Sequence, residues 1–358
     1  MKNFIRKIYL RARVPLYIMS DKLLRRYLPR IVVLVVNNPC NLNCKYCFGE
    51  YNKRSAKDDF STDELKRLID ELCENGTIYL TVHGGETLMR KDIGEIVRYM
   101  KEKGLYVNLI TNGILLEKKL HEINIVDSIC LSLDGREEGN DYIRGKGTFK
   151  AVLRAVDLVK SAGIPLRVQA TLTKYTKDDM AFLAQLANDK EFHLEFSLLF
   201  ASTPDMKNLM MDDQETRKAL REIKELKKKG YPIFTSLVTL DLALNWEDYG
   251  YTTLTKEDLP PHLKPIPCGY ARHKFTIDAN GRTFPCFPLN TTFNAYNVKE
   301  VGVKKAFEHT VRNNKCVLCP FLTQNDWNYM LSLSPGFLVH QVILNMKELI
   351  GRYNRKVK

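Results

Sequence analysis

The chain of 358 residues is 44% hydrophobic and 27% charged, which gives enough apolar material for one barrel-sized domain and a smaller companion. Its formal charge of +13 is uneven: residues 1–30 hold nine bases against Asp21, a net +8, and residues 347–358 hold five against Glu348, a net +4. The body between these ends is nearly neutral, which argues against a nucleic-acid groove through the core, and no apolar run reaches the roughly 18 residues that span a membrane.

The N-terminus lacks the short apolar core and small-residue cleavage site of a secretory signal. Seven of the nine cysteines fall in close-spaced or loop-framed groups and therefore read as metal ligands in a reducing cytoplasm rather than as a disulfide framework. Residues 1–30 interleave Ile5, Ile8, Tyr9, Leu10, Val14, Leu16, Ile18, Leu23, Leu24 and Leu28 with bases, and Pro15 and Pro29 break the run. Such a segment either packs its apolar side on the body or rests on an anionic membrane surface, which would place the chain at the inner face of the membrane.

From residue 31 short β-rich runs alternate with amphipathic helical ones. Strands are predicted at 31–36, 77–82, 106–110, 128–133, 165–172 and 193–199, and helices at 62–75, 93–103, 115–122, 149–162, 177–189 and 212–229. Ser61 or Thr62, with Glu64 behind, caps the first helix. Six strand–helix units in strict alternation predict an α/β fold with a parallel sheet and right-handed crossovers, with the chemistry at the carboxyl ends of the strands.

The first strand runs into Cys40, Cys44 and Cys47, spaced C-x3-C-x2-C, one thiolate too few to close a four-iron cluster. The iron without a protein ligand is then free to bind something else; a zinc site is the alternative. The second strand is followed by His83-Gly84-Gly85-Glu86-Thr87, the third by Thr111-Asn112-Gly113 and the fourth by Ser132-Leu133-Asp134-Gly135. The last two are also ordinary turn dipeptides. Cys73 and Cys130 have no cysteine neighbour and read as packing residues.

With an aromatic residue just before the third cysteine and Gly-Gly-Glu after the second strand, the chain resembles the radical S-adenosylmethionine (SAM) superfamily. That resemblance implies a partial (β/α)6 TIM-like barrel in which Cys40, Cys44 and Cys47 hold a 4Fe-4S cluster whose open iron chelates SAM. It implies that Tyr46 lies against the adenine, that Gly84, Gly85 and Glu86 receive the SAM amino group, and that Asn112 and Ser132 meet SAM. Thr87 stands where the family has proline. The implied reaction is cleavage of SAM to a 5'-deoxyadenosyl radical that takes hydrogen from a substrate C–H bond, with a donor such as flavodoxin or ferredoxin.

Further on, residues 274–286 read as a hairpin around Asn280-Gly281, which brings Cys268 near Cys286, and Cys316 and Cys319 follow as C-x2-C. These four cysteines resemble the shortened, twitch form of the SPASM extension, which implies one auxiliary 4Fe-4S cluster with a role in electron transfer. A structural zinc is the alternative. The predicted organisation is a basic amphipathic segment at 1–30, the barrel at 31–230, a bridge at 231–267, the auxiliary module of hairpin and helix at 268–322, and a helix with a basic tail at 323–358. A lipid-type substrate, a peptide matured by crosslinking, a small alcohol, and a non-catalytic redox sensor all remain open.

Overall fold

A computed structural model describes residues 2–250, 253–264, 266, 268–337 and 339, with residues 2–12 and 52 as backbone alone; the basic tail at 347–358 lies outside the described residues. The chain enters through α1 (Lys2–Leu23) and reaches β1 (Ile31–Val35), an unbroken apolar run buried at every position, as suits a strand covered on both faces. Next, α2 (Thr62–Glu74) leads to β2 (Tyr79–His83), α3 (Ile93–Glu102) to β3 (Tyr106–Thr111), and α4 (Leu116–Ile123) to β4 (Ser128–Ser132). Helices α5 (Glu137–Arg144) and α6 (Thr148–Ser161) precede β5 (Leu166–Leu172), and α7 (Met180–Asp189) precedes β6 (His193–Leu198). Beyond β6 come α8 (Pro204–Lys207), α9 (Asp213–Lys228), α10 (Leu237–Leu244), the hairpin of β7 (Lys274–Ile277) and β8 (Thr283–Phe284), α11 (Val298–Asn313) and α12 (Leu322–Leu331).

The eight strands form one sheet in the order β6-β5-β4-β3-β2-β1-β7-β8. All pairs are parallel except β7 with β8. The hairpin therefore adds to the free edge of β1 and extends the barrel sheet, with Ile31 opposite Lys274. The sheet curls without closing: Glu195 on β6 and Lys274 on β7 stand near opposite ends of the strand order yet within electrostatic reach of each other. Helix α12 fills the gap between them. Asn328 Oδ1 accepts from Gly269 N at 2.8 Å on one side, and Asp326 Oδ1 accepts from Thr239 Oγ1 at 2.7 Å on the other.

Local rules explain the element ends. The Ser61 side chain accepts from Glu64 N and the Glu64 side chain accepts from Ser61 N, a capping box that contributes about 1 kcal/mol to α2. The break predicted at Pro15 does not occur, because α1 runs continuously through it. The hydrogen bond missing at a helix-interior proline costs about 3 kcal/mol. Packing offsets that cost: Val14 and Ile18 lie with Ile31, Ile78 and Leu331 in one buried cluster. Farther along, Asp21 is fully buried and accepts from Arg30 Nε at 2.7 Å and Arg26 Nε at 2.8 Å. No helix among the described residues is long and apolar enough to cross a membrane.

Candidate active site

Cys40, Cys44 and Cys47 lie half-buried in the loop leaving β1, and Cys44 and Cys47 are both close enough to act on the charge of Cys40. Burial pushes the free thiols of Cys40 and Cys44 up to about 11. The loop is clasped by the turn after β2, where Gly85 N donates to Asn37 O at 2.9 Å and Glu86 N donates to Pro39 O at 2.9 Å. A Cβ on Gly85 would stand 2.1 Å from Asn38 O and 2.5 Å from Pro39 O, so only glycine lets the two loops approach this closely.

Glu86 is buried beneath this contact. Its Oε1 accepts from Thr111 Oγ1 at 2.6 Å and Leu88 N at 3.0 Å, and its Oε2 accepts from Asn112 N at 2.8 Å. Burial raises its pKa, and these donors work against the rise. A carboxylate has about four acceptor positions, so one on Oε2 is left for a further donor. The Asn112 side chain donates to Asn41 Oδ1 at 2.8 Å, which joins the end of β3 to the cysteine loop. Ser132 closes β4 opposite Gln169 on the same edge of the sheet. Thr87, in place of the family's proline, is buried and donates to Ile110 O at 2.9 Å, so a hydroxyl ties down the turn that a ring would have stiffened.

Tyr46 belongs to a buried polar network. Its hydroxyl donates to Asp134 Oδ2 at 2.7 Å and accepts from Arg144 Nη2, while its ring packs with Ile143, Leu199 and Leu209. Arg144 grips Asp134 through Nε to Oδ2 at 2.7 Å and Nη2 to Oδ1 at 2.9 Å. Thr171 N donates to Asp134 Oδ1 at 2.9 Å, so one carboxylate joins β4, β5, α5 and the cysteine loop. Sequence reasoning missed Arg144 and the whole of α5. The available signal was an arginine ten residues past an Asp-Gly that already looked functional. Asn38, also missed, bridges the loop to Asp59 Oδ1 at 2.6 Å and Asn280 Oδ1 at 2.7 Å.

The second thiol set is also brought together. Cys268 and Cys316 share a hydrogen bond that lowers the pKa of Cys268 and raises that of Cys316, and Cys286 and Cys319 lie within electrostatic reach of Cys268. Helix α12 supports the set: Asn325 Nδ2 donates to Cys319 O at 2.7 Å, and Asn328 fixes Gly269 N beside Cys268. Asn325, Asp326 and Asn328 are thus buried helix-interior support for the thiol set. The two thiol sets adjoin through Phe48, next to Cys47, and Phe287, next to Cys286, whose ring centroids are 4.6 Å apart. His83 packs on Phe287 at 5.3 Å, and burial lowers its pKa to about 4. Below lies a charged interior, where Arg167 pairs with Glu195 at 3.4 Å and Lys274 Nζ donates to Tyr270 OH at 2.9 Å. Cys130 is buried, and Cys73 is partly buried and packs against the core.

Among the described residues no three His, Cys, Asp or Glu side chains meet the close spacing of a single-ion site. Each thiol set nonetheless has the soft donors an iron-sulfur cluster takes: three sulfurs in one and four in the other. In the first, the close glycine contact fixes the backbone around the three sulfurs.

The radical SAM superfamily model matches residues 34–187. The chain is 31% identical over 243 residues to Fe-coproporphyrin III synthase of Methanosarcina barkeri, covering 64% of this chain and 59% of that protein. It is 26% identical over 270 residues to PqqA peptide cyclase of Bradyrhizobium diazoefficiens, covering 72% of this chain and 67% of that one. The chain spans 48% of an AdoMet-dependent heme synthase of Methanosarcina barkeri, at 33% identity. Its fold is similar to that of Streptococcus suis SuiB, with a TM-score of 0.63 at 17% identity, over 83% of this chain and 69% of that one. It is also similar to anSMEcpe with bound AdoMet, with a TM-score of 0.61 at 17% identity, over 87% of this chain and all of that one. The family match begins just before the cysteine loop and runs through the strand ends that clasp it, so residues 34–187 form a radical SAM domain.

Proposed function

We propose that Cys40, Cys44 and Cys47 hold a 4Fe-4S cluster that binds SAM at its open iron, and that Cys268, Cys286, Cys316 and Cys319 hold one auxiliary 4Fe-4S cluster. Bound there, the first cluster with SAM supplies a 5'-deoxyadenosyl radical able to take hydrogen from an unactivated carbon, and the second supplies a place for an electron. The observation that carries this reading is the three-thiol loop clasped by Gly85 and Glu86 at the carboxyl edge of a parallel sheet.

The chain's own residues bind and orient. The remaining acceptor position of Glu86, with the Gly84 and Gly85 backbone, suits the SAM ammonium. Asn112 and Ser132 stand at the ends of β3 and β4, where the rest of SAM reaches the sheet edge. Asp134 and Arg144 pin the hydroxyl of Tyr46, so its ring is presented in one orientation beside the third cysteine for the adenine. The partner is a low-potential electron donor of the flavodoxin or ferredoxin kind. The reaction would be hydrogen abstraction from a substrate C–H bond, and net oxidation would follow where the group held by Cys268, Cys286, Cys316 and Cys319 accepts the radical's electron and a proton leaves the substrate.

The test is anaerobic reconstitution with iron and sulfide, followed by SAM and dithionite. Formation of 5'-deoxyadenosine is expected from the native chain. An intact cluster that yields none would favour a redox sensor. Iron and sulfide counts separate two cubes from one cube and a zinc.

A further inference from the structure

We propose that α1 and the turn after it form a docking surface for an anionic lipid bilayer. The helix has two apolar sides with different fates. Val14 and Ile18 are buried against β1 and α12, and Asp21 is locked to Arg26 and Arg30, so the helix is mounted on the body. On its other side the apolar residues face solvent: Leu16 is 56% exposed, Met19 47% and Leu23 78%, followed by Leu24 at 61% and Tyr27 at 51%. Among the described residues these are five of the twelve large hydrophobic side chains found exposed, gathered within twelve residues, so they form a patch rather than scatter. Leu16, Met19 and Leu23 follow the three- and four-residue spacing of one helix stripe, and the sequence continues that spacing back through Ala12, Ile8 and Ile5.

Charge selects the occupant. Exposed Arg25 borders the patch beside Lys22, whose Nζ donates to Ser332 O at 2.6 Å, and Arg26, whose guanidinium is 45% exposed while it pairs with Asp21; Arg272 lies 5.7 Å from the ring of Tyr27, and the only acid in residues 1–30 is the buried Asp21. A second copy would bring a net +8 against a net +8, and the chain's own segment at 347–358 carries +4 of the same sign. A bilayer with anionic headgroups meets both features at once, since the apolar side chains enter the headgroup boundary while the bases pair with phosphates.

The test is flotation of the full chain with vesicles of phosphatidylglycerol and phosphatidylcholine, compared with phosphatidylcholine alone. The native chain is expected to float with the anionic vesicles and to be released by salt, and the Leu16→Glu, Met19→Glu, Leu23→Glu triple variant to lose at least about tenfold in partitioning. Dithionite-driven cleavage of SAM should be equal in both, which separates this proposal from the fate of the catalytic reading. A Leu23→Trp variant gives a second readout, a blue shift of its emission on anionic vesicles only. Three results would overturn the proposal: no flotation of the native chain, equal flotation of the triple variant, or a native dimer in solution that the triple variant converts to monomer.

Discussion

The loop bearing Cys40, Cys44 and Cys47 hangs from the carboxyl ends of four strands, whereas Cys268, Cys286, Cys316 and Cys319 converge from three segments onto the single helix α12. In the first region every neighbouring strand end contributes: Gly85 and Glu86 after β2, Asn112 after β3, and Asp134 after β4 through Tyr46. In the second, the ties are the buried amides of Asn325 and Asn328. The first arrangement places its thiols on the edge where ligands meet a parallel sheet. The second sets its thiols against a helix that also fills the open side of the barrel sheet, with Cys319 buried and the other three partly so. One region is tied to the strand ends and the other to a single helix.

Substitutions should separate the two regions, beginning with the thiols. Replacing Cys44 with alanine should lower 5'-deoxyadenosine formation by at least about a thousandfold, equivalent to about 4 kcal/mol of barrier, as measured by chromatography after anaerobic turnover. Replacing Cys316 and Cys319 together should remove about four irons per chain while leaving cleavage of SAM within a few-fold of native. Equal loss of cleavage in both variants would erase the distinction drawn here.

The polar ties should matter in proportion to their burial. Arg144→Met strands the fully buried Asp134 without its cation, and denaturant unfolding should show a loss of about 3–5 kcal/mol, with the Asp134→Asn, Arg144→Met double variant less affected. On the helix side, burial raises Asp326 from 3.8 to about 6. The native state then binds the extra proton between those values, so its contribution is full at acid pH and is lost as pH rises from about 4 to 6, a change of about 3 kcal/mol. Asp326→Asn should flatten that slope in unfolding measured across the same range. The smallest effect belongs to Thr87→Val, which removes the hydroxyl bond to Ile110 O and should cost about 1 kcal/mol.

Much of the barrel was legible because its signals are local. The runs that became β1 and β2 are apolar and β-branched, the helices between them are amphipathic, and the cysteine spacing and Gly-Gly-Glu lie directly after their strands. What was hidden depends on contacts far apart in sequence. Nothing in residues 274–277 announces a parallel partner in residues 31–34, so the hairpin was expected as part of a separate module rather than as a continuation of the barrel sheet. Helix α5 is hard to see in the sequence because its eight residues carry three acids and only Tyr142 and Ile143 as apolar side chains, and Arg144 makes sense only once Asp134 and Tyr46 are beside it. Pro15 misled in the opposite direction: a local rule for breaking helices yielded to the packing of Val14 and Ile18.

The central claim is that the three-thiol loop leaves an iron open for SAM. It is tested most directly by electron paramagnetic resonance of the reduced, reconstituted Cys316→Ala, Cys319→Ala variant, in which the signal of the first cluster stands alone. Addition of SAM should shift that signal. A spectrum unchanged by saturating SAM, with the cluster present at full occupancy, would contradict the account.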